Sequence, residues 1–337
     1  MESTEETAKA ASTIAFHHRV IVASILIASS IIGLFGNSLV IISVITTKKL
    51  RTITNILVVN LAVADLLSCV CFPFLVIGLL NQTGQYPLHE SVCASVAGVL
   101  HTCILCSAST LVVIGFIRRY VITRSIRGHQ GFHTPRKIVS VALVIWMFSA
   151  AYMILPPVLG VGRLGYSTYY GICAFLGVTR PALYYVASQG IFVATILLLT
   201  LIFYGLILHH VVRHNQQFRE KFAVEKDVSS TSSDANQSKV SSSSDSPTPM
   251  IKAINRKEVE ITKNVFVVVC IFIVCFLSSS VNFIIPGSSL STIYGYMVMM
   301  INSMINPIIY GLKHPNFREA FKRILCCRRA PQEYVSK

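Results

Sequence analysis

Hydropathy divides the chain into seven apolar runs separated by short polar segments. The first covers Val20 to Thr46, and the others cover about 54–80, 91–117, 137–160, 181–212, 264–286 and 290–311. Each is near the ~20 residues a helix needs to cross a hydrocarbon layer of ~30 Å. The first run is too long for a signal-peptide core, and no small-residue cleavage site follows it. It is therefore read as a spanning helix. The pattern predicts an all-α membrane protein built as a seven-transmembrane helix bundle. Residues 1–19 form an extracellular amino terminus, residues 20–312 the transmembrane domain, and residues 313–337 a short amphipathic helix and cytoplasmic tail.

The third run carries the densest chemistry. Cys93 opens it, Ser107 lies mid-way, and Arg118 and Arg119 close it. Cys93 and Arg118 stand about 37 Å apart along a helix, enough to place one end outside the membrane and the other inside.

Composition supports the membrane reading. The chain is 53% hydrophobic and 13% charged, about half the charge of a soluble domain. The net charge of +15 is compatible in principle with nucleic acid or a membrane surface, and its distribution decides. Of the 29 basic residues, three fall in the first inside segment, six in the second, nine from Arg213 to Lys263 and seven from Lys313 onward. Lys9, Arg19, Arg163 and Arg180 remain outside. The positive-inside rule then places the amino terminus outside and the carboxyl terminus inside. The basic charge borders anionic lipid or a cytosolic partner, not nucleic acid.

Residues 215–256 form a cytoplasmic loop expected to be disordered, above all from about Glu225 to Pro249, where serine dominates and apolar surface is scarce. Ser246 and Thr248 precede prolines, and Ser229–Ser233 and Ser241–Ser244 cluster. The stretch suits either phosphorylation or a plain flexible linker. Beyond the last span, Phe317, Phe321, Ile324 and Leu325 share one helical face, which suits a helix lying on the inner leaflet. Cys326 and Cys327 follow, where palmitate would add an anchor.

Polar groups inside the apolar runs are costly and mark either function or helix pairing. Asp65 is mid-span, with Asn37, Ser107, Asn302, Ser303 and Asn306 as candidate partners. Oxygen donors around one carboxylate suit a small hard cation such as Na⁺ bound to Asp65, a water cluster, or a bond network that ties helices together. Arg118 either snorkels to lipid phosphate or pairs with Glu258 at the inner end of span six. Breaking that pair would free span six to swing, the bistable element a transmembrane switch needs.

Cys93 and Cys173 both adjoin outside segments, where an oxidising compartment permits a cross-link; two free thiols are the alternative. Cys103 and Cys106 have the spacing of a zinc-ligand pair but lie in an apolar helix without a second pair. Asn81-Gln82-Thr83 is a glycosylation sequon in the first outside loop. No nucleophile–base–acid set appears, and the chain is read as a non-enzyme.

In order along the chain stand G-N-S-L-V at Gly36–Val40, L-A-V-A-D at Leu61–Asp65, Cys93, S-x-x-T-L-x-V-I at Ser107–Ile114, and Trp146. Lys257-Glu258, Phe272 and C-F-L at Cys275–Leu277 follow, then N-S-x-x-N-P-x-x-Y at Asn302–Tyr310. Over about residues 20–327 this resembles the rhodopsin-like (class A) G-protein-coupled receptors. The resemblance implies an extracellular ligand and a heterotrimeric G protein, with arrestin and receptor kinases as further partners. Asp65, Ser107, Asn302, Ser303 and Asn306 match the family's sodium pocket. Arg118 matches the arginine that engages the G protein, Glu258 its resting partner, and Tyr204 and Tyr310 the tyrosines that meet on activation. Cys93 and Cys173 match the family disulfide.

Departures from the pattern bear on signalling. Ile117 stands where the family has an acid before the arginine; a register shifted by one, with Arg119-Tyr120 as the pair, keeps the acid missing. Phe276, Ser278 and Ile196 replace a tryptophan and two prolines, which implies straighter helices. Leu100 occupies the aspartate site of amine receptors, and Met300 the site of the retinal-binding lysine of opsins, so neither ligand class is expected. Candidate pocket residues are His101, Tyr185, Ser188, Gln189, Phe276, Ser279, Ser280, Phe283, Tyr296 and Met300. They form an uncharged set suited to a small neutral or weakly polar ligand. Two other readings stand: a binding scaffold or decoy without ordinary coupling, favoured by Ile117 and the missing prolines, and a transporter. Seven spans without an internal repeat speak against the transporter.

Overall fold

A backbone in lipid must satisfy its own hydrogen bonds, so each apolar run closes into a helix. The computed structural model describes residues 14–124, 134–177, 179–231, 270–277 and 289–326. In chain order the helices are α1 (Phe16–Thr46), α2 (Ile53–Leu80), α3 (Glu90–Arg124), α4 (Pro135–Val158) and α5 (Arg180–Thr231). Then come α6 (270–277), α7 (Ser289–Lys313) and α8 (Pro315–Leu325). Helices α1 to α4, with the Arg180–His210 part of α5, are long and apolar enough to cross a membrane. The protein is a seven-helix membrane bundle followed by a short eighth helix.

Local chemistry sets several helix ends. Thr52 accepts the Asn55 N–H at 3.3 Å and caps α2. Asn55 reaches back to the Leu50 carbonyl at 2.7 Å, which pins the turn at Lys48–Leu50 to the new helix. Pro135 opens α4, where its missing N–H costs nothing. Gly36 lies where α1 crosses α7: a Cβ there would sit 2.7 Å from Pro307 Cγ, so only glycine permits the approach.

Between α4 and α5 the chain forms an antiparallel hairpin, β1 (Arg163–Ser167) and β2 (Ile172–Leu176), with Tyr166 opposite Cys173. Gly171 makes the turn with φ of +71°. The Cys93–Cys173 disulfide, Cα–Cα 5.2 Å, staples this hairpin to the outer end of α3.

Two apolar clusters lie along the bundle. The inner one holds Val40, Leu57, Leu61, Leu111, Ile114, Ile117, Tyr204, Phe272, Phe276 and Tyr310. The outer one holds Leu26, Cys69, Phe72, Cys93, Leu100, Tyr166, Tyr296 and Met300. Asp65 falls between them, after Leu61 and before Cys69 on α2. Leu143, Val144 and Met147 of α4 are exposed, as a lipid-facing surface requires.

Two expectations change. Helix α5 runs to Thr231, so residues 215–231 are helical and not disordered. The segment N-Q-Q-F-R-E-K-F-A-V-E-K is rich in straight-chain helix formers, and Lys221 and Glu225 are four apart. Residues 232–256 lie outside the described residues. The apolar face of α8 is also divided between two environments. Phe317 is buried, stacked on Tyr310 with ring centroids 5.4 Å apart, and Phe321 packs edge-on to Phe317. Leu325 is exposed. Half of the predicted membrane face is therefore a bundle contact. Arg323 ties α8 to the first inside turn through a 2.5 Å bond to Thr47 Oγ1.

Candidate functional site

The bundle brings a polar layer together around Asp65. Its side chain is buried, and Asn306 Nδ2 donates to Oδ2 at 2.7 Å while Ser107 Oγ donates to Oδ1 at 3.3 Å. Ser303 adds a third side-chain contact. Spans two, three and seven thus meet at one carboxylate. Asn302 is buried but does not bond Asp65. Asn37 also differs from its assignment as a partner: its amide donates to Gly33 O at 3.0 Å and Ser303 O at 2.9 Å, clamping α1 to α7. The clamp holds the backbone that presents Ser303.

Among the described residues no basic side chain pairs with Asp65. A buried carboxylate with only neutral donors is unbalanced when ionised, and hydroxyl and carboxylate oxygens are what a hard monovalent cation takes. The donor set therefore fits Na⁺, which would be held by Asp65, Ser107 and Ser303.

Sequence patterning missed a second polar tie. Trp146 Nε1 donates to Asn60 Oδ1 at 2.9 Å, and Asn60 Nδ2 donates to Thr110 Oγ1 at 2.9 Å. One amide thereby joins spans two, three and four. Its signal was an asparagine five positions before Asp65 in an apolar run. Ser30 Oγ similarly donates to Cys69 O at 2.7 Å.

At the inner end, Arg118 lies within electrostatic reach of Tyr204, Tyr310 and His314. Tyr204 is buried against Gly115, and among the described residues its hydroxyl has no hydrogen-bond partner. Ile117 is buried in the inner cluster. Glu258, named as the arginine's partner, lies outside the described residues.

His314 begins α8 with its imidazole edge-on to Phe317, ring centroids 5.1 Å apart. Burial, and then the positive charge of Arg118, push this imidazole down to about 4.

The outer candidates separate into two groups. Tyr185 donates to Tyr152 O at 2.9 Å, Ser188 bonds Tyr152 Oη at 2.9 Å, and Gln189 approaches Met153 Sδ at 3.5 Å. These three hydrogen-bond α5 to α4, so their polar groups are engaged with Tyr152 and Met153. Tyr185 also meets Phe175 of the hairpin edge-on at 4.9 Å. Tyr296 and Met300 share the outer cluster with Leu100 and are almost fully buried. Among the described residues Tyr296 Oη has no hydrogen-bond partner. His101 Nδ1 bonds Ala97 O at 2.7 Å, and Nε2 is its other ring nitrogen. Phe276 stacks on Phe272 at 4.1 Å. Ser279, Ser280 and Phe283 lie outside the described residues, as does Cys327; Cys326 is exposed beyond α8.

Asn81 ends α2, and its side chain bonds Thr83 Oγ1 at 2.9 Å.

Similarity to known proteins accords with this arrangement. Residues 36–310 match the model of the 7 transmembrane receptor (rhodopsin family). The chain is 28% identical to the Gq-coupled rhodopsin of Mizuhopecten yessoensis over 88% of its own length, and spans 58% of that protein. It is 30% identical to the lateral eye opsin of Limulus polyphemus, covering 86% of this chain and 74% of the opsin. It is 27% identical to somatostatin receptor type 1 of Rattus norvegicus, covering 88% and 69%. Squid rhodopsin shares the fold, with a TM-score of 0.75 at 20% identity over 95% of this chain and 89% of that one. With seven helices closed around a buried carboxylate and the family pattern matched from Gly36 to Tyr310, the chain belongs to the rhodopsin family of seven-transmembrane receptors.

Proposed function

We propose that the protein is a plasma-membrane receptor, with its amino terminus outside, that binds a small extracellular ligand and activates a heterotrimeric G protein. The observation that carries this reading is the layer of polar contacts from α2, α3 and α7 on Asp65, set between an outer and an inner apolar cluster. A ligand that shifts α7 in the outer cluster changes the Asn306–Asp65 bond, and Arg118, Tyr204 and Tyr310 lie on the inner side of that bond. A Na⁺ ion on Asp65 would brace the resting arrangement.

The pocket is assigned to His101, Phe276, Tyr296 and Met300, with the unpartnered Tyr296 hydroxyl and His101 Nε2 as its polar groups. The ligand is neither an amine nor covalently bound retinal. Leu100 offers no counter-charge, and no lysine lies between Ser291 and Leu312 to form a Schiff base. The opsins among its relatives weigh toward retinal, and a retinal-reconstitution assay read by absorbance separates the two readings. Glycosylation at Asn81, palmitoylation at Cys326 and Cys327, and phosphorylation that recruits arrestin belong to the same reading.

The experiment is ligand-free and ligand-screened G-protein activation in intact cells, with Arg118→Ala as control. Activation abolished by Arg118→Ala supports coupling. A wild type that binds ligand without activation favours the second reading, a binding scaffold, for which Ile117 buried in apolar surroundings is the specific observation.

A further inference from the structure

Arg19 is a buried cation at the outer end of the bundle. It sits one turn into α1 and is 4% exposed. Its Nη1 donates to the backbone carbonyl of Asn81, at the end of α2, at 3.3 Å. Among the described residues its buried Nε and Nη2 have no hydrogen-bond partner. The one ion pair among the described residues, Arg163–Glu90, is exposed and elsewhere. A guanidinium taken out of water without a counter-charge is unfavourable, and its burial calls for an anion.

The free donors are specific. Nε–H and Nη2–H lie along the same edge of the guanidinium and point the same way, the spacing that meets both oxygens of one carboxylate. The bond from Nη1 to Asn81 orients that edge. The surrounding parts are held in place: Gly171, with φ of +71°, turns the hairpin beside the guanidinium, where a Cβ would lie in ordinary contact, 3.5 Å from Nη1 and 3.5 Å from Leu79 Cα. Tyr166 of β1 donates to Gly78 O at 2.8 Å, and the disulfide fixes Cys173 opposite Tyr166. Three elements thus converge on one cation, and none supplies a carboxylate.

We propose that the Nε–Nη2 edge of Arg19 is a carboxylate-binding site on the extracellular side. The carboxylate comes either from a free extracellular acid or from Glu2, Glu5 or Glu6 of the same chain, which precede Arg19 by 13 residues or more. The site goes beyond the receptor reading and does not depend on G-protein coupling, because its test reads stability.

The full-length protein in lipid nanodiscs is titrated with sodium acetate against sodium chloride at matched ionic strength, and the unfolding midpoint is followed. If the carboxylate is free, the wild-type midpoint rises saturably by about 3 °C, Arg19→Gln stays flat, and Arg19→Lys, which keeps the charge but not the paired edge, gains less. If the tail supplies it, the wild type does not respond, and the combined Glu2→Gln, Glu5→Gln and Glu6→Gln variant melts lower and recovers with acetate. That comparison needs no change at Arg19, so a misfolded Arg19 variant does not obscure it. The proposal is overturned if acetate acts like chloride on both the wild type and the triple variant, or if acetate stabilises the wild type and Arg19→Gln gains as much.

Discussion

Asn306 and Asp65, 241 positions apart in sequence, meet in a 2.7 Å amide–carboxylate bond inside the bundle. A buried polar atom that loses its partner costs about 1–3 kcal/mol, more when charged. Asn306→Leu is therefore expected to destabilise the protein by at least that amount. Asp65→Asn removes the charge while keeping the shape. Its unfolding midpoint is expected to be the same in Na⁺ and choline, whereas the wild-type midpoint is higher in Na⁺. A wild type indifferent to the cation would reduce the layer to a helix tie.

The Trp146–Asn60–Thr110 chain is expected to act as one unit. Trp146→Phe leaves Asn60 Oδ1 unpaired and should cost about 1–2 kcal/mol beyond the lost area. Combined with Asn60→Leu, the loss should be clearly less than the sum of the single losses. A double-mutant cycle on thermal unfolding measures this, and strict additivity would contradict it.

His314 predicts an acid-sensitive junction between α7 and α8. Its native imidazole titrates near 4, and the ordinary value is 6.5. Above about pH 6.5 both states are neutral and stability is flat. As pH falls below that, the unfolded chain takes a proton that the native one refuses, so stability drops until about pH 4 and then levels. The loss is on the order of 3 kcal/mol over the window. Melting the wild type and His314→Phe across this range tests it, because the substitution should remove that part of the slope.

Ile117 fills the position next to Arg118 with an apolar side chain. Without a neighbouring acid the arginine lacks one restraint on its resting position. Ile117→Asp is expected to lower ligand-free G-protein activation at equal surface expression. Unchanged basal activity would show that Arg118 is restrained from elsewhere.

Much of this was legible before folding. Asp65, Ser107 and Asn306 stood out because ionisable and amide groups are scarce in lipid-spanning runs. Tyr185, Ser188 and Gln189 looked equally suited to a pocket, yet bond to Tyr152 and Met153. Hydropathy marks them as semi-polar on a helix but carries no information on that helix's rotation. Phe317 read as a lipid anchor because an amphipathic face has the same pattern whether it meets lipid or Tyr310.

By itself the sequence determined the number of spans, their order and, through the bias of basic residues, which ends carry the positive charge. Those properties depend on transfer of side chains to hydrocarbon, which each segment expresses alone. Only the tertiary structure decided which polar groups are paired: Asn37 to Ser303, Trp146 to Asn60, and Arg19 to Asn81 with two donors left over. Pairing depends on how neighbouring helices cross and turn, and that is set jointly by packing at sites such as Gly36 against Pro307.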